Sequence, residues 1–115
     1  MEKLDCVGCE AILRLGQGDI AAESIIYNSA HCFAHYEPWE HSIERIVIWA
    51  KKHIATIHEL APEDNEIVLD MMEAVKACSQ HMIDKHGGCE VFLRQYDESD
   101  ARHLHVNVCY GLFEE

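Results

Sequence analysis

The sequence predicts an α+β fold with a mostly antiparallel sheet of about five strands, one short helix and one long helix. Three observations support this fold class. A single long amphipathic pattern occupies the middle of the chain, β-rich segments lie on both sides of it, and a short helical pattern precedes them all. A length of 115 residues fits one domain, so we expect residues 1–115 to fold as a single unit.

The part of the chain before the long helix is predicted to hold the short helix and three strands. Residues 10–15 carry apolar side chains at helical spacing and end at a Gly-Gln-Gly sequence. Residues 24–27 and 31–34 favour β structure and are separated by Asn-Ser-Ala, which indicates a hairpin. Residues 46–49 are apolar throughout, so this strand is expected to be central in the sheet.

The long helix is predicted over about residues 63–85. Pro62 falls at its first position and acidic residues follow in the first turn. Gly87 and Gly88 provide the stop. Apolar residues recur at three- and four-residue spacing, which predicts a helix that covers one face of a sheet: Ile67, Val68, Met71, Met72, Val75, Cys78, Met82 and Ile83. Residues 90–95 and 103–109 then indicate two more strands.

Charge and hydropathy exclude two classes of partner. The chain has 9 Lys and Arg against 21 Asp and Glu, and the resulting charge of −12 would repel a nucleic-acid backbone. No apolar run approaches the roughly 18 to 20 residues that cross a bilayer, so we expect no membrane partner. The segment MEKLDCVGCEAILRLGQG has one early Lys and no long apolar core, which is unlike a secretory signal. A cytoplasmic location is therefore expected.

The cysteines divide into one close pair and four isolated residues. In a reducing compartment, the pair Cys6 and Cys9 indicates a metal or redox group. A redox motif would need a thioredoxin-like βαβ setting, which the sequence does not predict, and a free pair near the terminus is the remaining alternative. The other four are expected to be small buried hydrophobic residues: Cys32, Cys78, Cys89 and Cys109.

The last predicted strand has a polar face. Because side chains alternate along a strand, His103, His105 and Asn107 share one face and lie about 7 Å apart. One interpretation is an ordinary half-exposed strand whose polar face meets water. The other is a functional surface that presents two imidazoles and an amide.

Several segments, in the same order, resemble the histidine triad (HIT) superfamily over nearly the whole chain. The residues that support the resemblance are Cys6-x-x-Cys9 with Glu10-Ala11-Ile12, Ile25-Ile26-Tyr27, Cys32-Phe33-Ala34, Ile46-Val47-Ile48-Trp49-Ala50-Lys51-Lys52-His53-Ile54, Leu60-Ala61-Pro62-Glu63-Asp64 and His103-x-His105. Ala50 stands at the family's usual proline. The resemblance implies a HIT-like fold.

The resemblance also implies a metal site. Zinc-containing members have ligands at the positions of Cys6, Cys9, His53 and His103. Two thiolates and two imidazoles form a closed tetrahedral set, so the expected cofactor is a structural Zn²⁺. A zinc hydrolase would need an open coordination position, which four protein ligands disfavour.

The chemistry that the resemblance implies is nucleotidyl transfer. His105 would be the nucleophile that attacks the α-phosphate of a small nucleotide or nucleotide-like phosphate ester, giving a covalent nucleotidyl-imidazole. Glu37 matches a position that contacts ribose hydroxyls, with a solvated turn carboxylate as the alternative. His31, His35 and His41 either line the pocket, form a second metal site or lie on the surface. Members of the superfamily commonly form homodimers, and we expect one here.

Three departures from the family pattern leave a second function open. Asn107 replaces the third histidine of the motif, and an amide can donate a hydrogen bond but cannot deliver a proton. Glu44-Arg45 stands where Gly or Thr followed by His is usual. Asp97, Glu98 and Asp100 replace a phosphate-binding loop, with Arg94 or Arg102 as the offsetting charges. The chain is therefore either a hydrolase or nucleotidyltransferase with His105 and Asn107 as catalytic residues, or a zinc-containing binding module.

Overall fold

Five antiparallel strands form one sheet, with the long helix on one face and the short helix on the other. The computed structural model describes residues 6–95 and 103–113. Its helices and strands are α1 (Val7–Gly16), β1 (Ile25–Asn28), β2 (Cys32–Tyr36), β3 (Ser42–Ala50), α2 (Asn65–His86), β4 (Glu90–Phe92) and β5 (His105–Leu112). Short 3-10 turns span Ala22–Ser24, Ile57–Glu59 and Pro62–Asp64. The predicted α+β class and the order of the elements are confirmed.

Strand β3 lies in the middle of the sheet order β1-β2-β3-β5-β4, as its apolar sequence predicts. Both of its faces are buried. Ile46 and Ile48 pack in the core beneath α2, while Val47 and Trp49 pack in the smaller core beneath α1. Because side chains alternate along the strand, β3 contributes to both cores and fixes the spacing between the two layers.

Helix α2 begins after a 3-10 turn and ends at a left-handed glycine. The Asp64 carboxylate accepts hydrogen bonds from the Ala61 amide at 3.0 Å and from Lys52 at 2.8 Å. Gly87 has φ 91°, a conformation that only glycine adopts without strain. The predicted apolar stripe is only partly buried. Val68, Met72 and Ile83 are exposed, because the sheet covers a narrower face of the helix than the sequence spacing indicates.

The last two strands differ from the predicted ranges. Strand β4 ends at Phe92 instead of residue 95, and β5 begins at His105 and continues to Leu112. Before β5, the Leu104 amide donates to the carbonyl of Ile54, outside the β3–β5 ladder. Cys32, Cys78 and Cys109 are buried as predicted, whereas Cys89 is half-buried.

Two further predictions concern membrane-crossing helices and the acidic segment before β5. None of the helices in residues 6–95 and 103–113 is long and apolar enough to cross a membrane. The acidic residues Asp97, Glu98 and Asp100, and Arg102 beside them, lie outside the described residues.

Candidate functional site

The candidate residues share the face of the sheet that α1 covers. The antiparallel register of β3 and β5 sets them out in three adjacent pairs: Trp49 with His105, Val47 with Asn107, and Arg45 with Cys109. Strand β2 extends two of these rows, with Phe33 beside Trp49 and His35 beside Val47. The other face of β5 carries Leu104, Val106 and Val108 into the core beneath α2. The predicted alternation along the motif strand is therefore confirmed.

This polar face does not meet water. His103, His105 and Asn107 are 1%, 9% and 2% exposed, respectively. The interpretation of an ordinary half-exposed strand is therefore wrong, because α1 and its flanking segments cover this face. Buried imidazoles and amides need hydrogen-bond partners, and those partners define the two ends of the site.

At one end, four side chains could hold a metal ion. Cys6 caps the N-terminus of α1 and Cys9 lies in its first turn, while His53 follows β3 and His103 precedes β5. Their ligand atoms all lie within 4.8 Å of one another. The Nδ1 atoms of the two histidines are 3.2 Å apart, and the four sulfur–nitrogen distances run from 3.1 Å to 3.7 Å. The predicted ligand set therefore converges on one point.

These distances suit a tetrahedral ion. Typical zinc–sulfur and zinc–nitrogen bonds place neighbouring donor atoms roughly 3.3 to 3.8 Å apart. His103 Nε2 faces the Ala50 carbonyl at 2.6 Å, so this nitrogen carries the hydrogen and Nδ1 directs a lone pair at the cluster. A second nitrogen lone pair and two sulfur atoms face it. This donor set fits a cation.

The close approach of α1 to the motif strand depends on a glycine that the sequence analysis did not single out. A Cβ atom on Gly8 would lie 2.3 Å from Cγ of His103.

Burial, with a further contribution from Cys6, raises the pKa of the Cys9 thiol to about 11. A bound cation reverses this effect, because coordination stabilises the thiolate.

His105 lies two residues after His103 and has a fixed tautomer. Its Nδ1 atom lies 2.8 Å from the carbonyl oxygen of His103, so Nδ1–H donates and Nε2 keeps a free lone pair. Burial lowers the pKa of His105 and outweighs the hydrogen bond to that carbonyl. The ring lies 5.0 Å from the Trp49 ring. A neutral imidazole in this tautomer is suited to nucleophilic attack through Nε2.

At the other end, Arg45 connects the two remaining candidates. Its Nη1 atom donates to Oδ1 of Asn107 at 3.3 Å, its Nη2 atom donates to Oε1 of Glu37 at 3.1 Å, and its Nε atom donates to the Glu37 carbonyl at 3.0 Å. In the sequence, Arg45 stands out only as a departure from the pattern of the family that the chain resembles. The signal that could have found it is the strand register, which places position 45 diagonally opposite position 107.

Glu37 is an ion-paired carboxylate. Its Oε2 atom lies 3.3 Å from Nε2 of His35. The hydrogen bond with His35, followed by the charge of Arg45, holds the pKa of Glu37 below its ordinary value against the opposing effect of burial. Nε2 of His35 also lies 3.3 Å from the Trp49 indole nitrogen, so the same ring atom is within reach of the indole N–H and of the Glu37 carboxylate.

A cleft of about 520 Å³ borders Glu37 and His35, between α1 and the hairpin of β1 and β2. Its walls include Glu10, Ala11, Arg14, Ile20 and Tyr36. Neither of the other two histidines considered with His35 lines this cleft. His31 pairs with Glu66, whereas His41 pairs with Glu40 and lies 5.1 Å from the Trp39 ring, measured between ring centroids. Among the described residues, only the Cys6 cluster brings three or more metal-ligating groups together.

Solved structures share this fold. No protein-family model and no curated protein matches the chain. A HIT family hydrolase from Legionella pneumophila matches with TM-score 0.71 and 21% identity over 92% of both chains. A HIT family member from Bacillus subtilis matches with TM-score 0.74 and 18% identity, over 95% of this chain and 74% of that one.

A third match is a histidine triad nucleotide-binding protein from Candida albicans, with TM-score 0.67 and 16% identity over 87% of this chain and 72% of that one. Identities of 16% to 21% make these similarities of fold. The α+β architecture of the chain is therefore that of the histidine triad proteins.

Proposed function

We propose that the protein is a nucleotide-phosphate hydrolase or nucleotidyltransferase that works through a covalent nucleotidyl-His105. The observation that supports this most directly is the tautomer of His105, whose Nδ1–H is engaged by a backbone carbonyl while Nε2 is free. The names of two proteins that share the fold, a hydrolase and a nucleotide-binding protein, agree with this chemistry.

The reaction follows from the groups on this face. His105 Nε2 attacks the α-phosphorus of a nucleotide, and the bond to the leaving group breaks as the nitrogen–phosphorus bond forms. Water or a second substrate then displaces the imidazole and releases the nucleotide. Asn107 donates a hydrogen bond through its amide, and the Arg45 charge stabilises the phosphoryl oxygens. In this scheme Asn107 positions the leaving group without protonating it.

The cleft beside Glu37 is the proposed nucleoside site. Its volume of about 520 Å³ lies within the ordinary range for small-molecule pockets. An ionised Glu37 accepts hydrogen bonds, as recognition of ribose hydroxyls requires. Glu37, the proposed ribose contact, also pairs with Arg45, whose charge acts on the phosphate. Ribose binding and stabilisation of the phosphate are therefore coupled through this ion pair.

For the metal cluster we propose a structural Zn²⁺ held by Cys6, Cys9, His53 and His103. Two sulfur and two imidazole ligands suit zinc, and when bound it would tie the start of α1 to the segments that follow β3 and precede β5. Because His105 hydrogen-bonds to the carbonyl of the ligand His103, this connection also fixes the nucleophile. Thiolate ligands persist in a reducing compartment, so a cytoplasmic location belongs to the same proposal.

We further propose that the chain forms a homodimer through the side of the molecule that exposes apolar residues of α2 and β4. Val68 and Met72 on α2 are 38% and 54% exposed, and Val91 on the edge strand β4 is 45% exposed. Val68 and Met72 line an apolar groove of about 120 Å³, and Leu93, just after β4, lines it as well. Size-exclusion chromatography with light scattering tests this. A dimer that Met72→Glu converts to monomer supports it, and a wild-type mass of one chain contradicts it.

The activity is tested with adenosine phosphoramidate and a dinucleoside polyphosphate as substrates. We expect wild-type protein to release AMP and His105→Ala to lower the rate at least about a thousandfold, because it lacks the nucleophile. His58→Ala is the matched control, since His58 is exposed and does not belong to the metal cluster. Mass spectrometry of the quenched enzyme should detect one added AMP on wild type. No turnover across a broad nucleotide panel would contradict an enzymatic role.

The second candidate is a binding module that keeps the fold and the metal cluster without turnover. The hydrogen bond between Arg45 and Asn107 favours it, because neither side chain supplies a proton near neutral pH. Calorimetric titration with AMP separates the two. Binding that Glu37→Gln weakens, together with no product from any substrate, would replace the enzyme proposal with this one.

A further inference from the structure

Two arginines meet one tryptophan at the Asn107 end of the site. The guanidinium carbon of Arg45 lies 5.2 Å from the Trp39 ring centroid, and that of Arg94 lies 5.0 Å from the same centroid. Arg94 also lies 5.6 Å from the ring centroid of Phe92. Both distances to Trp39 are within the range of a cation–π interaction, so each guanidinium has a defined position beside the ring.

The strand register brings this group to Asn107. Phe92 on β4 is the direct cross-strand partner of Asn107 on β5, so their side chains share a face. Trp39 lies 6.4 Å from Phe92, measured between ring centroids. Two positive charges therefore border the buried amide that the motif strand presents two residues after His105.

Arg45 also fixes which way the Asn107 amide points. A guanidinium can only donate, so the Asn107 oxygen faces Arg45 and the NH₂ group points the other way. Three of the five Arg45 N–H groups are used by Glu37 and Asn107. Its side chain is 17% exposed, which gives an anion access to the guanidinium. The arrangement presents positive charge and N–H donors, and neither Arg45 nor Asn107 can act as an acid near neutral pH.

We propose that Arg45 and Arg94 form an anion site for the phosphate groups of the leaving group, which selects nucleotides that expel phosphate over nucleotides that expel an amine. The inference rests on the proposed function and names its substrate class. A phosphate leaving group carries formal charge that two guanidinium groups bind, often in bidentate geometry.

The preference follows from where the electrons and protons go. His105 Nε2 forms a bond to the α-phosphorus, and the electron pair of the broken phosphorus–oxygen bond stays on the bridging oxygen. Phosphate leaves as an anion near neutral pH, since its second pKa is about 6, so no proton is needed. An amine leaving group must take a proton as the phosphorus–nitrogen bond breaks, and neither Asn107 nor Arg45 can deliver one.

Three substrates that share adenosine monophosphate test this directly. Diadenosine tetraphosphate expels a phosphate chain, adenosine 5′-(p-nitrophenyl) phosphate expels a stable anion without phosphate charge, and adenosine phosphoramidate expels an amine. We expect wild-type kcat/KM to be at least about a hundredfold higher for the tetraphosphate than for the phosphoramidate. Comparable values for these two would overturn the inference.

Variants then assign the preference to the arginines. Arg45→Gln should lower kcat/KM for both substrates, because Arg45 also acts on the transferred phosphoryl group and holds Glu37, and the loss should be at least about tenfold larger for the tetraphosphate than for the nitrophenyl ester. Equal losses on both substrates would overturn the anion site. Arg94 is exposed, so Arg94→Gln should fold normally and should still lower tetraphosphate turnover several-fold. Lys76→Gln, at an exposed lysine on α2, is the charge-matched control.

Binding of inorganic pyrophosphate separates this inference from the proposed function. If no substrate releases AMP in a His105-dependent way, the proposed function fails. The anion site would still be supported if pyrophosphate binds wild-type protein and binds Arg94→Gln at least about tenfold more weakly. Equal binding to both proteins would overturn the site whatever the turnover shows.

Discussion

The two ends of the site lie on one face of one sheet and are built in different ways. The metal cluster takes its residues from segments between elements: the start of α1, the turn after β3 and the residues before β5. The group of Glu37, Arg45 and Asn107 is instead held around paired strands and joined by hydrogen bonds. At the first end four side chains from separate segments could hold an ion that ties those segments together, whereas the second end depends on strand register.

The two ends also differ in how they depart from the family pattern. All four residue types that the resemblance implies for a metal are present at the first end. At the second end, the resemblance implies histidines at the positions of Arg45 and Asn107, and in this chain these two side chains bind each other. Two substitutions in contact can compensate for one another, since each supplies the hydrogen-bond partner of the other. At this end Arg45 and Asn107 therefore supply each other's hydrogen-bond partner.

The largest expected effect is loss of the metal. Cys9→Ser should reduce bound zinc from about one ion per chain to almost none and should lower the melting temperature by more than about 10 °C, because structural zinc contributes folding free energy directly. Metal content is measured by plasma mass spectrometry and melting by calorimetry. Cys89→Ser is the matched control, since Cys89 is half-buried and outside the cluster. If Cys9→Ser keeps the wild-type metal content, Cys9 is not needed to hold an ion at the first end.

Most of the fold was predictable because the local spacing of apolar residues determines where helices and strands form. The apolar strand at residues 46–49 and the helix ending at Gly87 both form close to where the pattern places them. The start of β5 was not predictable. The Leu104 amide binds the carbonyl of Ile54, 50 positions earlier in the chain, and no local pattern reports such a contact.

The two ends of the site were predictable to different degrees. The metal ligands carry distinctive residue types, so Cys6, Cys9 and the two histidines could be named from the sequence. Arg45 has no such signal, because its role depends on a diagonal contact with Asn107 across paired strands. Residue type is enough to name candidate metal ligands. The contact between Arg45 and Asn107 becomes visible only when the register of the paired strands is known.

A smaller effect is expected at Trp49, which contacts both ends. Its ring lies 5.8 Å from that of His103 and 5.0 Å from that of His105, and its indole nitrogen lies 3.3 Å from Nε2 of His35. Trp49→Phe removes this N–H and leaves a small cavity, so it should lower the free energy of unfolding by about 1–3 kcal/mol. Urea denaturation measures the loss.

The Trp49→Phe protein should also keep its metal, because Trp49 supplies no ligand atom. Turnover should fall while zinc content stays constant, since the ring that packs against His105 has changed shape. Phe113→Leu, at an exposed position outside the site, is the control for stability. Loss of zinc in Trp49→Phe would show that the packing of Trp49 is needed to hold the metal ligands in place.

The smallest effect concerns the pH dependence of the ion-paired end. The pKa of Glu37 is lower in the folded protein than its ordinary value of 4.5, so its ionisation stabilises the fold. That contribution is fully present above about pH 4.5 and is lost as the pH falls through the lower folded value. Since 35% of the side chain is exposed, we expect less than about 1 kcal/mol.

Comparing wild type with Glu37→Gln by urea denaturation between pH 7 and pH 3 measures this contribution. The wild-type advantage should be constant above about pH 5, shrink below about pH 4.5 and weaken in high salt. Glu40→Gln is the matched control, because Glu40 is 82% exposed and should show no such dependence. If the difference between wild type and Glu37→Gln does not change with pH, the ionisation of Glu37 does not stabilise this end.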